Sequence, residues 1–266
     1  MLGLLSDVHG NRVALDAVVA DGRHRGVDTW WVLGDFAAIG PEPVATLESL
    51  ASLPNVRFVQ GNTDRYVVTG ERPPPTEADA RADPRLRATF DAVERSFSWT
   101  QDQLAQTPWL TWLADLDLEL REVLPDGTKV VGVHVLPGRD DGPGITPHRP
   151  ESELVDAFHD VNAEIVVAGH THQPTDRWVG RVRAVNLGSV SNPVTDDLRA
   201  SYVIVHADRQ GYVLEHRRVS YDHDKFLSVV KRSGHPESGF IASFQLGQQI
   251  KFPARRPGAP EPSIAD

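Results

Sequence analysis

Five times along this chain a short apolar run stops on residues that carry hard or borderline donor atoms. The segments are Leu4-Leu5-Ser6-Asp7-Val8-His9-Gly10-Asn11, Val32-Leu33-Gly34-Asp35, Gln60-Gly61-Asn62-Thr63-Asp64, Gly132-Val133-His134 and Ala168-Gly169-His170-Thr171-His172. Runs of this length, rich in β-branched residues and bounded by glycine, read as strands, and the donors then fall where each strand gives way to its loop. One such run means little. Five in order, supplying Asp, His, Asp, Asn, His, His and His, are hard to obtain by chance.

Taken singly, each has a plain alternative. Asp7-Val8-His9 is a common tripeptide, although two residues two apart at a turn can face one centre. Asp35 alone suits a helix cap or a turn. Asn62-Thr63-Asp64 after glycine is ordinary turn chemistry. A single histidine such as His134 is more often a satisfied core residue than a ligand. His170 and His172 are the strongest local signal, because two imidazoles on alternate residues beyond a buried strand suit metal coordination. Together, nitrogen and oxygen donors without sulfur suit zinc, manganese, nickel or iron. A two-metal centre clamps the attacking and leaving oxygens of an in-line displacement and lowers the pKa of a bridging water.

The surrounding pattern is that of an α/β chain. The strand candidates 1–6, 28–33 and 56–59 alternate with a helix capped by Asn11 and a helix with Pro41 in its first turn, running to about Leu53. This β-α-β-α-β order implies parallel strands. Residues 66–116 break the pattern. Pro73-Pro74-Pro75 precedes Leu86, Phe90, Val93, Phe97 and Leu104, with Trp99, Trp109 and Trp112, and this reads as two or three inserted helices. They form either a lid or a packing subdomain, and the tryptophans are better placed as packing than as base-stacking residues. Further strands are expected at 116–123, 129–135 (antiparallel to the preceding one), 164–168, 181–186, 202–206 and 212–218, and helices at 151–160 and 222–232. One domain over 1–250 and a flexible Pro-rich tail over 251–266 complete the expected layout.

Composition narrows the function. The 266 residues include no cysteine, which excludes disulfides and thiolate metal sites. No segment approaches the roughly 20 apolar residues of a membrane span, and the N-terminus offers no basic region or room for a signal peptide. A cytoplasmic location is therefore the default expectation. The formal net charge of -10 argues against coating of nucleic acid in general, but not against a small phosphorylated substrate, since bound cations would dominate the local field.

These motifs resemble the calcineurin-like metallophosphoesterases, whose signature is D-x-H, G-D, G-N-x-[DE], a lone His and G-H-x-H in that order. All five are present over about residues 1–190. Asn186-Leu187-Gly188-Ser189 is similar to the N-x-G-S of small bacterial and archaeal phosphodiesterase members. The resemblance implies a four-layer β-sandwich with mixed sheets flanked by helices, plus the helical insertion. It implies two divalent ions: one held by Asp7, His9 and His172, the other by Asn62, His134 and His170, with Asp35 bridging. Asp35, Asn62, Asp64 and His134 would carry the catalytic roles, Asp64 by orienting a neighbour or ligand.

Two departures stand out. Thr63 occupies the place of a histidine that many members use on the leaving group, so substrates with good leaving groups are expected. Val135-Leu136-Pro137 follows His134 where relatives usually have a small residue, so a slightly altered loop is expected there. Arg139, Thr63 and Arg65 are candidate substrate contacts, Arg65 being the more easily read as a surface arginine. The expected activity is hydrolysis of a small phosphodiester or nucleotide, including dinucleoside polyphosphates. A protein serine/threonine phosphatase fits less well, and so does a repair nuclease. The alternative is a catalytically weak metal-binding scaffold of the same fold, although none of the seven ligand positions is substituted.

Overall fold

A computed structural model describes residues 1–249; the expected tail at 251–266 lies outside the described residues. The chain forms two five-stranded sheets. The first contains β1 (Leu2–Leu5), β2 (Thr29–Leu33), β3 (Val56–Val59), β9 (Ala200–Asp208) and β10 (Gly211–Val219), in the order β10-β9-β1-β2-β3. The second contains β4 (Glu119–Val123), β5 (Lys129–Val133), β6 (Ile165–Ala168), β7 (Thr175–Val179) and β8 (Val182–Asn186), in the order β4-β5-β6-β8-β7. β1, β2 and β3 are parallel, as expected, but β9 joins β1 antiparallel, so the sheet is mixed.

Side-chain alternation explains the layering, since successive residues of a strand face opposite sides. Leu4, Trp31, Leu33 and Val59 of the first sheet face Leu120, Val130, Ile165, Val167 and Val185 of the second, and form the core between the sheets. Their neighbours Leu5, Trp30 and Val32 face the opposite way, toward α1 (Arg12–His24) and α2 (Pro43–Ala51). Val131, Val133, Val166 and Ala168 face α7 (Glu151–Ala157). Both faces of each sheet are therefore covered, which is why the strands read as continuous apolar runs. The result is helix, sheet, sheet, helix: the mixed four-layer α/β sandwich that the resemblance implied.

Local signals are mostly visible. Asn11 caps α1 by accepting from Ala14 N at 2.9 Å. The first helical proline of α2 is Pro43, two residues later than expected, with Pro41 in the loop before it. The segment between β3 and β4 holds α3 (Asn62–Thr69), α4 (Glu77–Ala82), a 3-10 turn (Pro84–Leu86), α5 (Arg87–Leu104) and α6 (Trp109–Ala114). Asn62, Thr63 and Asp64, read from sequence as a turn, are the first turn of α3. Trp112 packs edge-on against Phe58 and Trp109, and Trp99 against His235, so all three tryptophans have packing partners. Two more helices, α8 (His223–Arg232) and α9 (Ser238–Gln245), close the described chain, and α9 and β7 were not foreseen. No helix among the described residues is long and apolar enough to cross a membrane.

Candidate metal centre

Each expected ligand leaves the C-terminal end of a strand. Asp7 and His9 follow β1, Asp35 follows β2, Asn62 follows β3, His134 follows β5, and His170 and His172 follow β6. The first four belong to one sheet and the last three to the other, so the site lies across the seam between them. Asp7, His9, Asp35, Asn62 and His134 are all buried.

Backbone hydrogen bonds fix which nitrogen of each imidazole is free, because a carbonyl can only accept. His9 Nδ1–H donates to Ala38 O at 3.0 Å, His134 Nδ1–H to Leu33 O at 2.7 Å and His172 Nδ1–H to Asn192 O at 2.7 Å. In neutral rings this leaves Nε2 bare on all three. His170 is reversed: Nε2–H donates to Gly142 O at 2.8 Å, leaving Nδ1 bare.

The bare atoms converge on one another. His9 Nε2 lies 3.3 Å from His172 Nε2, and His172 Nε2 lies 3.2 Å from Asp7 Oδ1. On the other side Asn62 Oδ1 lies 3.0 Å from His134 Nε2 and 3.1 Å from His170 Nδ1. Asp35 stands between, with Oδ1 3.4 Å from His134 Nε2 and Oδ2 3.7 Å from His9 Nε2. Lone pairs facing lone pairs in a buried site are unfavourable unless a cation or proton lies among them. The donor set and the outward-held N–H groups fit divalent cations, and such outer hydrogen bonds commonly orient metal-bound histidines.

Charge inside the cluster supports this. Burial alone would raise the Asp35 carboxyl, but His134, then His9 and His170, hold it far below the usual range. Burial would lower His134, yet Asp35 and Asp7 push it up to about 10. Burial opposes charge on His172 too, but Asp7 outweighs it and raises the ring. In the absence of metal, a proton is thus strongly held where a cation would sit.

Backbone conformation carries a signal that composition does not. Asp7, His9, Asp35, His170 and His172 have φ of 56°, 44°, 59°, 68° and 56°. Left-handed backbone is costly for residues with a Cβ and gathers at functional sites. Only two other non-glycine residues among those described share it, Ile39 and Asn55. Two glycines allow the loops to approach. A Cβ on Gly61 would land on the Asp35 carboxylate and backbone N, and one on Gly169 on Asp7 and Ser6.

Asp64 accepts from three backbone N–H groups: Asp35 at 2.8 Å, Phe36 at 3.1 Å and Gly61 at 2.9 Å. Burial, then the Asp35 charge, raise its carboxyl to about 7, against the pull of those donors. It ties the exits of β2 and β3 together. Thr63 N donates to Asp35 Oδ1 at 3.0 Å, while its hydroxyl is buried without a partner among the described residues. The Arg65 guanidinium meets Asp140, Asp141 and Glu71, and is thus engaged by carboxylates. Arg139 is exposed, in a tight turn where Leu136 and Arg139 pair.

Sequence reasoning named the donors and gave Asp64 an orienting role, but assigned none to the Asn186–Ser189 motif. Asn186 donates to Thr171 Oγ1 at 3.0 Å and Ile145 O at 3.2 Å, and Ser189 Oγ donates to Asp7 O at 2.9 Å, so the Asn186–Ser189 motif braces two ligand loops. The carbonyls of Leu33, Ala38, Gly142 and Asn192 carry no side-chain signal at all.

This fold is that of one superfamily. Residues 1–210 match the calcineurin-like phosphoesterase superfamily domain, and the chain belongs to that family. An uncharacterized protein of Methanocaldococcus jannaschii is 26% identical over 256 residues, covering 89% of this chain and 94% of the relative. The solved metallophosphoesterase from Sphaerobacter thermophilus is 25% identical with a TM-score of 0.68, covering 92% of this chain and 98% of its own. A hypothetical protein from Pyrococcus horikoshii OT3 shares the fold, with a TM-score of 0.74 at 20% identity over 92% of this chain and 98% of that one.

Proposed function

We propose that the protein is a hydrolase of a small phosphodiester or nucleotide, dinucleoside polyphosphates included, working with two divalent ions. The carrying observation is the convergence of bare donor atoms: Asp7, His9 and His172 on one side, Asn62, His134 and His170 on the other, and Asp35 with one oxygen toward each. Manganese, iron, nickel and zinc all suit these donors. When bound, such ions polarise the phosphoryl group and make water a nucleophile near neutral pH.

The chain's own groups supply position. The carbonyls of Ala38, Leu33 and Asn192 keep the lone pairs of His9, His134 and His172 inward. Asp64 holds the Asp35 and Gly61 backbones, and so sets the direction of the Asp35 carboxylate. No imidazole stands at Thr63 to protonate a departing alkoxide, and a hydroxyl is a poor acid at neutral pH. The reading therefore favours substrates whose leaving group needs no proton.

The test is hydrolysis of bis-p-nitrophenyl phosphate by metal-stripped protein, with manganese, nickel, iron and zinc restored one at a time, beside Asp35→Asn. Turnover that returns with metal and is lost in the variant supports the proposal. Two ions bound without turnover on this substrate or on a nucleotide panel would leave a metal-binding scaffold. Protein that binds no metal would overturn it.

A further inference from the structure

A side chain of the C-terminal helices reaches the loop behind this centre. The loop Ser189–Asn192, between β8 and β9, presents Asn192 O to His172 Nδ1. The peptide unit just before that carbonyl is held at both ends. Its N–H, from Asn192, donates to Ser189 Oγ at 2.8 Å, and its carbonyl, Ser191 O, accepts from Gln245 Nε2 at 2.9 Å. Gln245 is the last residue of α9 and 5% exposed, and it lies beyond the 1–210 span matched by the family.

Its amide has one usable orientation. Ser191 O can only accept, so Nε2 is the end that faces it, and Oε1 then accepts from the Tyr221 hydroxyl at 2.5 Å and from His223 Nδ1–H at 2.7 Å. α9 is in turn fixed to α5, by Arg95 against Glu237 and by His235 against Trp99 and Ser96. Neither helix supplies a residue to the donor cluster. Among the described residues their polar contact with the Ser189–Asn192 loop is a buried amide, one peptide from the atom that sets a ligand's tautomer.

We propose that Gln245 is a positioning residue of the metal centre, acting on His172 through the Ser191–Asn192 peptide. This rests on the metal reading above. Without the amide, the peptide keeps only its Ser189 Oγ bond, and Asn192 O is less firmly held against the His172 Nδ1–H. The ring can then carry its proton on Nε2, which removes the lone pair that a cation needs. The effect is one-sided, because His134 and His170 rest on Leu33 O and Gly142 O instead.

The experiment is a chelator-competition titration of metal into stripped protein, following both equivalents of manganese or zinc. The variants are Gln245→Met, which keeps the length but neither donates nor accepts as an amide does, and Tyr221→Phe, which removes one of the two groups orienting the amide. Gln245→Met should weaken one equivalent by about 10- to 100-fold, the range found when outer-shell partners are lost, and leave the other unchanged. Tyr221→Phe should weaken the same equivalent by less, and reports alone if Gln245→Met does not fold. In a His172→Ala background, Gln245→Met should have no further effect on the remaining ion. Both variants binding like the parent, or losing both equivalents in parallel as a general loss of structure would cause, overturns the proposal. A parent chain that binds no metal sinks the metal reading itself, and this inference with it.

Discussion

His9 and His172 point their Nε2 atoms at each other across 3.3 Å, each with its other nitrogen committed to a backbone carbonyl. Two neutral imidazoles held this way repel unless something positive lies beside them, so the folded state should bind cations that the unfolded chain binds weakly. Metal at about 100 times its dissociation constant then adds roughly 2.7 kcal/mol per ion, or about 5–10 °C in Tm for a chain of this size. Thermal melts of stripped and reconstituted protein check this, and equal melting points would contradict it.

Gly61→Ala should disable the centre without touching a ligand. The added methyl meets the Asp35 carboxylate and backbone N, and overpacking of this kind costs about 1–3 kcal/mol. The expected outcome is a folded protein of lower Tm with impaired metal uptake. Metal content by elemental analysis distinguishes this from a simple loss of fold.

Asp64→Asn should also act at a distance. Three N–H groups converge on its two oxygens, and an amide can accept them on one side only. At least one buried donor is left unpaired, at about 1–3 kcal/mol. Activity and stability should fall together, whereas a residue serving only in proton transfer would lower kcat and leave Tm in place.

His235 predicts an acid-side loss of stability. Burial lowers its folded pKa to about 4, against the weaker opposing pull of Glu237. The neutral ring accepts from Glu237 N at 3.0 Å through Nδ1, and a proton there breaks that bond. The unfolded chain, with the ordinary value of 6.5, binds the proton more readily. The stability is whole above about 6.5 and drains as pH falls toward 4, by about 3 kcal/mol at most. Denaturant melts of the parent and His235→Gln between pH 4 and 7 should show a steeper loss in the parent; parallel curves would refute it.

With Thr63 where an imidazole is common, aryl or pyrophosphate leaving groups should be favoured over alkoxides. Turnover of p-nitrophenyl phosphodiesters beside simple alkyl phosphates measures this, and rapid hydrolysis of the alkyl esters would contradict it.

The donors and strands were legible for the same reason: an apolar run that ends on a polar residue fixes both a strand and the side chain at its exit. Asp7, His9, Asp35, Asn62, His134, His170 and His172 could be named without a fold. Of the groups that aim them, only Asp64 could. Leu33 and Ala38 act through carbonyls, which every residue has. The left-handed backbone at Asp7, His9, Asp35, His170 and His172 is one that Asp and His tolerate better than most residues but do not dictate. β7 was missed because its Thr175-Asp176-Arg177-Trp178-Val179 is too polar to stand out. Pro41 drew attention away from Pro43, since either proline suits a first turn.

The seam position of the site has a kinetic consequence. Asp7, His9, Asp35 and Asn62 exit one sheet and His134, His170 and His172 the other. A bound ion would act as a rivet between the two halves. It would come free only after donors from both sheets have let go. The exchange rate of a radioactive or spectroscopically distinct ion would then report how firmly the two sheets hold their shared edge, without any label on the chain.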